Sequence, residues 1–243
     1  MRSMPIIRAK LIEVPHLFGM KDLGFEDLNH LGLSPRNLIW LKQVHGTEVL
    51  VLKGNEKLPP FPLPFDAVIT DRKDVILLIR TADCIPIFLW DPHNQIIGAI
   101  HAGWRGVLRG IIPKAINEMV QVFSTKPQNL IVALGPSIKG CCYEFKGKEL
   151  EEFLKRFGPQ VITQKDGVPH LDLPLCALKE LERCGVQKIE EIPNCTFCDT
   201  RFHSWRRQRE RKRNYNFITL SPPPSFLTLK ASISPRRKFK NGY

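Results

Sequence analysis

The chain has 243 residues, 43% hydrophobic and 25% charged, which is the composition of a globular protein and excludes a disordered or fibrous chain. At this length a single core buries most of its surface without disulfide staples, and no apolar run approaches the roughly 20 residues that a membrane-spanning helix needs. The formal net charge of +12 attracts phosphate-bearing partners, yet no helix-turn-helix, zinc-finger or RNA-binding signature accompanies it, so nucleic acid is not an expected partner.

Residues 1–35 read as irregular, with Gly and Pro scattered through them. Residues 1–10 are basic but lack the apolar core of a signal peptide, which points to the cytoplasm. Residues 37–44 (NLIWLKQV) predict a strand ended by His45-Gly46, and 48–53 a second. Four prolines within 59–64 enforce a loop. Residues 67–70 and 75–79 are strand-like. Residues 85–90 and 96–100 are apolar runs joined by the turn formers Asp91-Pro92-His93-Asn94, a β-hairpin signal. Both strands are apolar at successive positions, so the hairpin is expected to be central and buried on both faces.

Gly103-Trp104-Arg105-Gly106 then leads into 107–123. Apolar residues at 108, 111, 112, 115, 116, 119, 120 and 123 follow a helical period, and Pro113 sets the start of the regular helix near Gly110. Residues 130–134 predict a buried strand closed by Gly135-Pro136. Residues 148–157 and 174–184 predict helices, the second ended by Gly185, and 188–192 and 216–220 short strands. Pro222-Pro223-Pro224 interrupts the pattern. Residues 221–243 therefore read as a basic, Pro-rich, disordered extension after one domain over 1–220. The sum is a mixed α/β (α+β) chain with hairpin-rich sheets and a few helices.

Much of the charge is local. Residues 201–213 hold seven Arg or Lys against one Glu, and 221–243 five more with no acid. The simpler reading is a solvated basic face followed by a tail. Seven cysteines, an odd number spread along the chain, do not form a secreted disulfide framework. Adjacent Cys141-Cys142 are poorly placed to bridge each other. Cys195-x-x-Cys198 matches half of a zinc-ribbon spacing. With no second CxxC it is read as a pair of structural thiols in preference to a metal site.

Chemistry gathers around the hairpin. A turn centred on Pro92-His93 pairs residues whose numbers sum to 185 and sets Cys84 opposite His101, with Cβ atoms about 4.5–5.5 Å apart. That separation suits two ligands of one Zn²⁺, and equally a thiolate–imidazole pair. Gly103 and Gly106 leave backbone N–H groups free toward an anion, and Arg105 could complete a phosphate or carboxylate pocket. Local spacing does not tie in His45.

Gln43-Val44-His45-Gly46, Thr81-Ala82-Asp83-Cys84-Ile85-Pro86 and Ala99-Ile100-His101-Ala102-Gly103-Trp104-Arg105-Gly106 resemble the three signature segments of the laccase-domain family, also called multicopper polyphenol oxidase-like or peptidoglycan editing factor family. Leu134-Gly135-Pro136-Ser137-Ile138, Cys141-Cys142-Tyr143-Glu144-Phe145, Leu171-Asp172-Leu173, Asn194-Cys195-Thr196 and Ser204-Trp205-Arg206-Arg207 extend the resemblance colinearly over roughly residues 36–220. The resemblance implies a single compact domain with a layered two-sheet core and flanking helices, similar to the cysteine deamidase toxins. It implies one Zn²⁺ held by His45, Cys84 and His101. It also implies phosphorolysis of adenosine, inosine, guanosine or methylthioadenosine, and deamination of adenosine. The expected partners are then a purine nucleoside and phosphate, with no membrane, and a monomer is the default.

On this reading Asp83, Cys84 and His101 are catalytic, Asp83 as proton carrier. Gly103, Arg105, Ser137 and Arg206 bind substrate or phosphate. The family's longer N-terminal loop is cut short here to His16-Leu17-Phe18-Gly19-Met20-Lys21-Asp22, where Lys21 is the available cation. Two other enzyme readings compete. A Cys–His hydrolase or amidase of peptidoglycan precursor editing would use Cys84 as nucleophile and His101 as base, without metal or His45. A copper polyphenol oxidase is weaker, because the seven histidines, at 16, 30, 45, 93, 101, 170 and 203, include no His-x-His pair. A His₂Cys set would still take up Cu²⁺ in vitro. A nucleic-acid adaptor acting through 201–213 rests on charge alone.

Overall fold

The computed structural model describes residues 6–23, 27, 37–58 and 60–221. His30 and the extension from Pro222 onward lie outside them. The strands are β1 (Ile6–Ile7), β2 (His16–Gly19), β3 (Leu38–Trp40), β4 (Val49–Leu52), β5 (Ala67–Thr70), β6 (Ile76–Thr81), β7 (Ile85–Asp91), β8 (Ile96–Ala102), β9 (Ile131–Leu134), β10 (Ile162–Lys165), β11 (Val168–Leu171), β12 (Lys188–Glu191) and β13 (Asn214–Ile218). The helices are α1 (Trp104–Arg109), α2 (Ile111–Phe123), α3 (Glu149–Phe157), α4 (Leu173–Arg183) and α5 (Trp205–Gln208).

The β7–β8 hairpin forms as expected and lies inside a six-stranded sheet of order β12-β9-β7-β8-β5-β4. Every residue of both strands is buried. The alternation that the apolar run conceals is plain in the packing. Ile85, Ile87 and Leu89 point into a core shared with α1 to α4, while Phe88 and Trp90 point the other way. There they meet the second, five-stranded sheet, of order β1-β2-β13-β6-β3, through Phe18, Ile39, Leu77, Ile79 and Ile218. Phe18 stacks on Phe88 with ring centroids 4.7 Å apart and planes 11° from parallel. The layers are helices, six-stranded sheet, five-stranded sheet.

The hairpin register differs from the expected one. Asp91 pairs with Ile96 and Pro86 with His101, so partner numbers sum to 187 instead of 185. Asp91 accounts for the shift. Its carboxylate accepts from the backbone N–H of His93 and Asn94 and from the Asn94 amide, and Gln95 takes a left-handed φ of 55°. The loop is therefore four residues long, 92–95, and Cys84 falls just outside the ladder.

Other differences concern the chain ends and weak signals. β1 and β2 form within the stretch read as irregular. β2 is buried throughout and pairs with β13. The 37–44 strand shortens to β3, because the chain turns toward His45, whose φ is 60°. The 107–123 helix is two helices broken at Gly110, φ 87°, with the longer one starting at Ile111 as Pro113 implied. The β10–β11 hairpin, missed in the sequence, turns on Asp166-Gly167, both at positive φ, which is the strongest short hairpin signal known. Gly135 is obligatory: a Cβ there would sit 2.4 Å from the Phe18 ring. Among the described residues no helix is long and apolar enough to cross a membrane.

Candidate metal centre and its basic cleft

Three chain segments meet at one end of the layered core. The Gln43–Gly46 segment follows β3, Asp83-Cys84 links β6 to β7, and His101 ends β8. Gln43 anchors the first segment by extending the β3–β6 pairing with its side chain. Its amide donates to the Arg80 carbonyl at 2.7 Å and accepts from the Arg80 N–H at 2.8 Å. Asp66, fully buried just before β5, fixes the turn that follows. Its carboxylate accepts from the backbone N–H of Val44, His45 and Gly46 at 3.2, 2.9 and 2.7 Å.

The same carboxylate accepts from His101 Nδ1 at 2.7 Å. Because a carboxylate only accepts, Nδ1 carries a proton and Nε2 is the ring nitrogen left to face Cys84. His45 Nε2 lies 3.9 Å from Cys84 Sγ, and the two imidazole rings stand edge to face with centroids 4.8 Å apart. The ligand atoms of His45, Cys84 and His101 all lie within 4.8 Å of one another. Tetrahedral zinc, with Zn–S about 2.3 Å and Zn–N about 2.0–2.1 Å, needs S···N edges of about 3.6 Å. The donor set therefore fits a three-ligand metal site. Gly103 closes its wall: a Cβ would lie 3.0 Å from His45 Cδ2 and 3.2 Å from Cys84 Sγ.

Electrostatics favour the charged pair. Burial pushes the Cys84 thiol up, but the His101 and His45 imidazoles more than offset it and bring it down to about 6. Burial pushes His101 down, but Cys84 and Asp66 raise it to about 9. For Asp66, burial opposes ionisation. The hydrogen bonds from His101 and from the Gly46 and His45 N–H groups outweigh that, and hold it below the usual carboxylate range.

The centre opens into a cleft of about 720 Å³. Its walls carry Lys42, Arg80, Arg105, Arg206, Arg209, Arg211 and Arg213, with Asp83 as the only acid among the described residues that line it. Three of the cations lie over aromatic rings of the same cleft: Arg105 over Trp104 at 4.3 Å, Arg206 over Tyr143 at 5.3 Å and Arg213 over Trp205 at 5.8 Å. The 201–213 run is thus not simply a solvated face, since four of its arginines line the cleft. Arg207 is instead structural, donating to the carbonyls of Thr196, Phe197 and Phe202.

The residues named from sequence are placed unequally. His45, Cys84, His101, Asp83, Arg105 and Arg206 line the cleft, and Gly103 abuts His45 and Cys84. Asp83, at φ 91°, has both carboxylate oxygens engaged, by the Thr196 hydroxyl and the Arg206 N–H, each at 2.7 Å. That arrangement ties the Thr196 loop and the start of α5 to the residue beside Cys84, with one bond accepted on each oxygen. Ser137 is fully buried and pairs its backbone with the 194–196 segment, so Ile138 faces the cleft instead. Lys21 is not among the lining residues; its backbone N–H bonds Arg201. Sequence reasoning missed Asp66, Lys42, Arg80 and the outer arginines. For Asp66 the only local signal was a carboxylate directly before an apolar strand.

Fold and site together define a layered α/β protein with a His₂Cys cluster at the floor of a cationic cleft. The chain belongs to the multi-copper polyphenol oxidoreductase laccase family, whose model matches residues 26–221. It is 32% identical over 191 residues to a purine nucleoside phosphorylase of Streptomyces coelicolor, covering 78% of each chain. It is 37% identical over 170 residues to one of Aquifex aeolicus, covering 70% of this chain and 77% of the relative. Among solved structures, YlmD from Geobacillus stearothermophilus superposes with a TM-score of 0.80 at 23% identity, over 90% of this chain and 97% of that one. A Bacillus licheniformis hypothetical protein, YfiH, gives 0.77 at 21%, over 84% and 91%. These structures share the fold.

Proposed function

We propose that the chain is a zinc-dependent purine nucleoside phosphorylase acting on adenosine, inosine, guanosine or methylthioadenosine, with adenosine deamination as a second activity of the same centre. The observation that carries this reading is the convergence of His45, Cys84 and His101 in a cleft that joins cations to aromatic faces. The curated names of the relatives support it. When bound, zinc would supply Lewis-acid charge at the fourth position that three protein ligands leave open.

The chain's own residues do the rest. Asp66 holds His101 in the tautomer that offers Nε2. Trp104 and Trp205 offer aromatic surface for a purine at the cleft, where Trp205 is 42% exposed. Arg105 and Arg206 draw phosphate to the base's ribose side. In the reaction a phosphate oxygen bonds to C1′, the C1′–N9 bond breaks, and the purine leaves with a proton, giving ribose 1-phosphate.

One observation favours a second reading. Cys84, His101 and Asp66 also form a thiol–imidazole–carboxylate series, the arrangement of a cysteine hydrolase or amidase. His45 discriminates the two, since that chemistry gives it no role. A product assay on zinc-loaded protein with adenosine, with and without phosphate, tests both. Adenine formed only with phosphate supports the phosphorylase, and inosine supports the deaminase. Neither product, with full thiol reactivity of metal-free protein and no effect of His45→Ala on an amidase assay, would transfer the assignment to the hydrolase.

A further inference from the structure

A second cluster of sulfur ligands lies outside the His₂Cys centre. β9 and β12 run parallel and adjacent, so the loops that leave their C-terminal ends emerge side by side, tied by a parallel bridge between Ser137 and Cys195. The first loop carries Cys141-Cys142 and the second Cys195-x-x-Cys198. The missing half of the zinc-ribbon pattern is therefore supplied by an adjacent pair, where no CxxC search finds it. All four Sγ atoms lie within 4.8 Å of one another. Cys198 Sγ is 3.7 Å from that of Cys141 and 3.1 Å from that of Cys142.

These distances decide between bonding modes. A disulfide needs about 2.05 Å. A zinc tetrathiolate with Zn–S about 2.3 Å needs S···S edges of about 3.8 Å, which the 3.7 Å Cys141–Cys198 separation matches, while the 3.1 Å Cys142–Cys198 separation is shorter than such an edge and longer than a bond. All four thiols are unbridged.

We propose that Cys141, Cys142, Cys195 and Cys198 hold a second, structural Zn²⁺. Four protein ligands leave no open position, so the site fastens and does not react. It clamps the loop carrying Ile138 and Tyr143 to the loop carrying Thr196, whose hydroxyl holds Asp83 beside Cys84. The inference is independent of the nucleoside reading.

Metal analysis of the full chain, produced with zinc under anaerobic conditions, is the test. Two zinc ions per chain are expected. Cys142→Ser combined with Cys198→Ser should reduce this to one, and His45→Ala should remove the other. X-ray absorption on the unaltered protein covers the case of a variant that does not fold. Two sites together give about 2.5 sulfur ligands per zinc, against one for the His₂Cys site alone. A single zinc with one sulfur ligand, two zinc ions retained in the double cysteine variant, or a 142–198 disulfide in anaerobic protein would each overturn the proposal.

Discussion

Asp66 holds three parts of the His₂Cys cluster at once: the His45 turn through three backbone N–H groups, the His101 ring through Nδ1, and the His101 backbone through its own carbonyl. Carboxylates behind ligating histidines set the affinity of the site. Asp66→Asn is expected to weaken zinc binding about 10–100-fold, measured by competition with a chelator. The same residue gives a pH dependence. Its folded pKa lies below the value of about 3.9 for an unfolded aspartate. Its contribution is therefore complete above that value and is lost as pH falls through the folded one. In metal-free protein, the urea midpoint of the wild type should exceed that of Asp66→Asn at pH 7. That gap should close as the pH is taken well below 4. A gap that persists at low pH would show that packing, and not ionisation, underlies it.

At the scale of elements, the β7–β8 hairpin carries the most weight, because its two faces serve two cores. Phe88 faces the five-stranded sheet and stacks on Phe18, and it is fully buried. Phe88→Ala should cost about 3–5 kcal/mol, read as a lowered denaturation midpoint, by separating the two sheets. Its neighbour Ile87 faces the helices instead, so Ile87→Val should cost only about 0.5–1.5 kcal/mol. This central hairpin was legible from its unbroken apolar runs and turn residues. The register was not, because Asp91's three hydrogen bonds lengthen the loop by two residues. The proximity of Cys84 to His101 nevertheless survives: Asp83's positive φ turns the chain back toward the end of β8.

At the scale of the whole molecule, charge is concentrated where the substrate would enter. Seven cations facing one already engaged carboxylate make the cleft an electrostatic funnel for anions. The apparent KM for phosphate should rise steeply between 50 and 300 mM salt, where the screening length shortens from about 14 Å to about 6 Å. Arg209→Ala with Arg211→Ala should flatten that dependence while leaving kcat within about twofold, since rim charges act mainly on encounter. An unchanged salt slope in the double variant would show that the outer arginines do not face incoming phosphate.

The sequence by itself determined the elements with strong periodicity, the glycine and proline boundaries, the mixed α/β class and, through its motifs, the family and the three residues of the His₂Cys cluster. These signals are local: side-chain period, turn chemistry and short segments that stand intact in the chain. Only the tertiary structure decided which distant groups meet. Asp66 is 35 residues from His101, Thr196 is 113 from Asp83, and Cys198 is 56 from Cys142. Such contacts leave no periodic trace, because they depend on which strands become neighbours. The parallel β9–β12 pairing gathers the four cysteines, and the antiparallel β13–β6 pairing brings the 201–213 arginines, which precede β13, over the His₂Cys cluster.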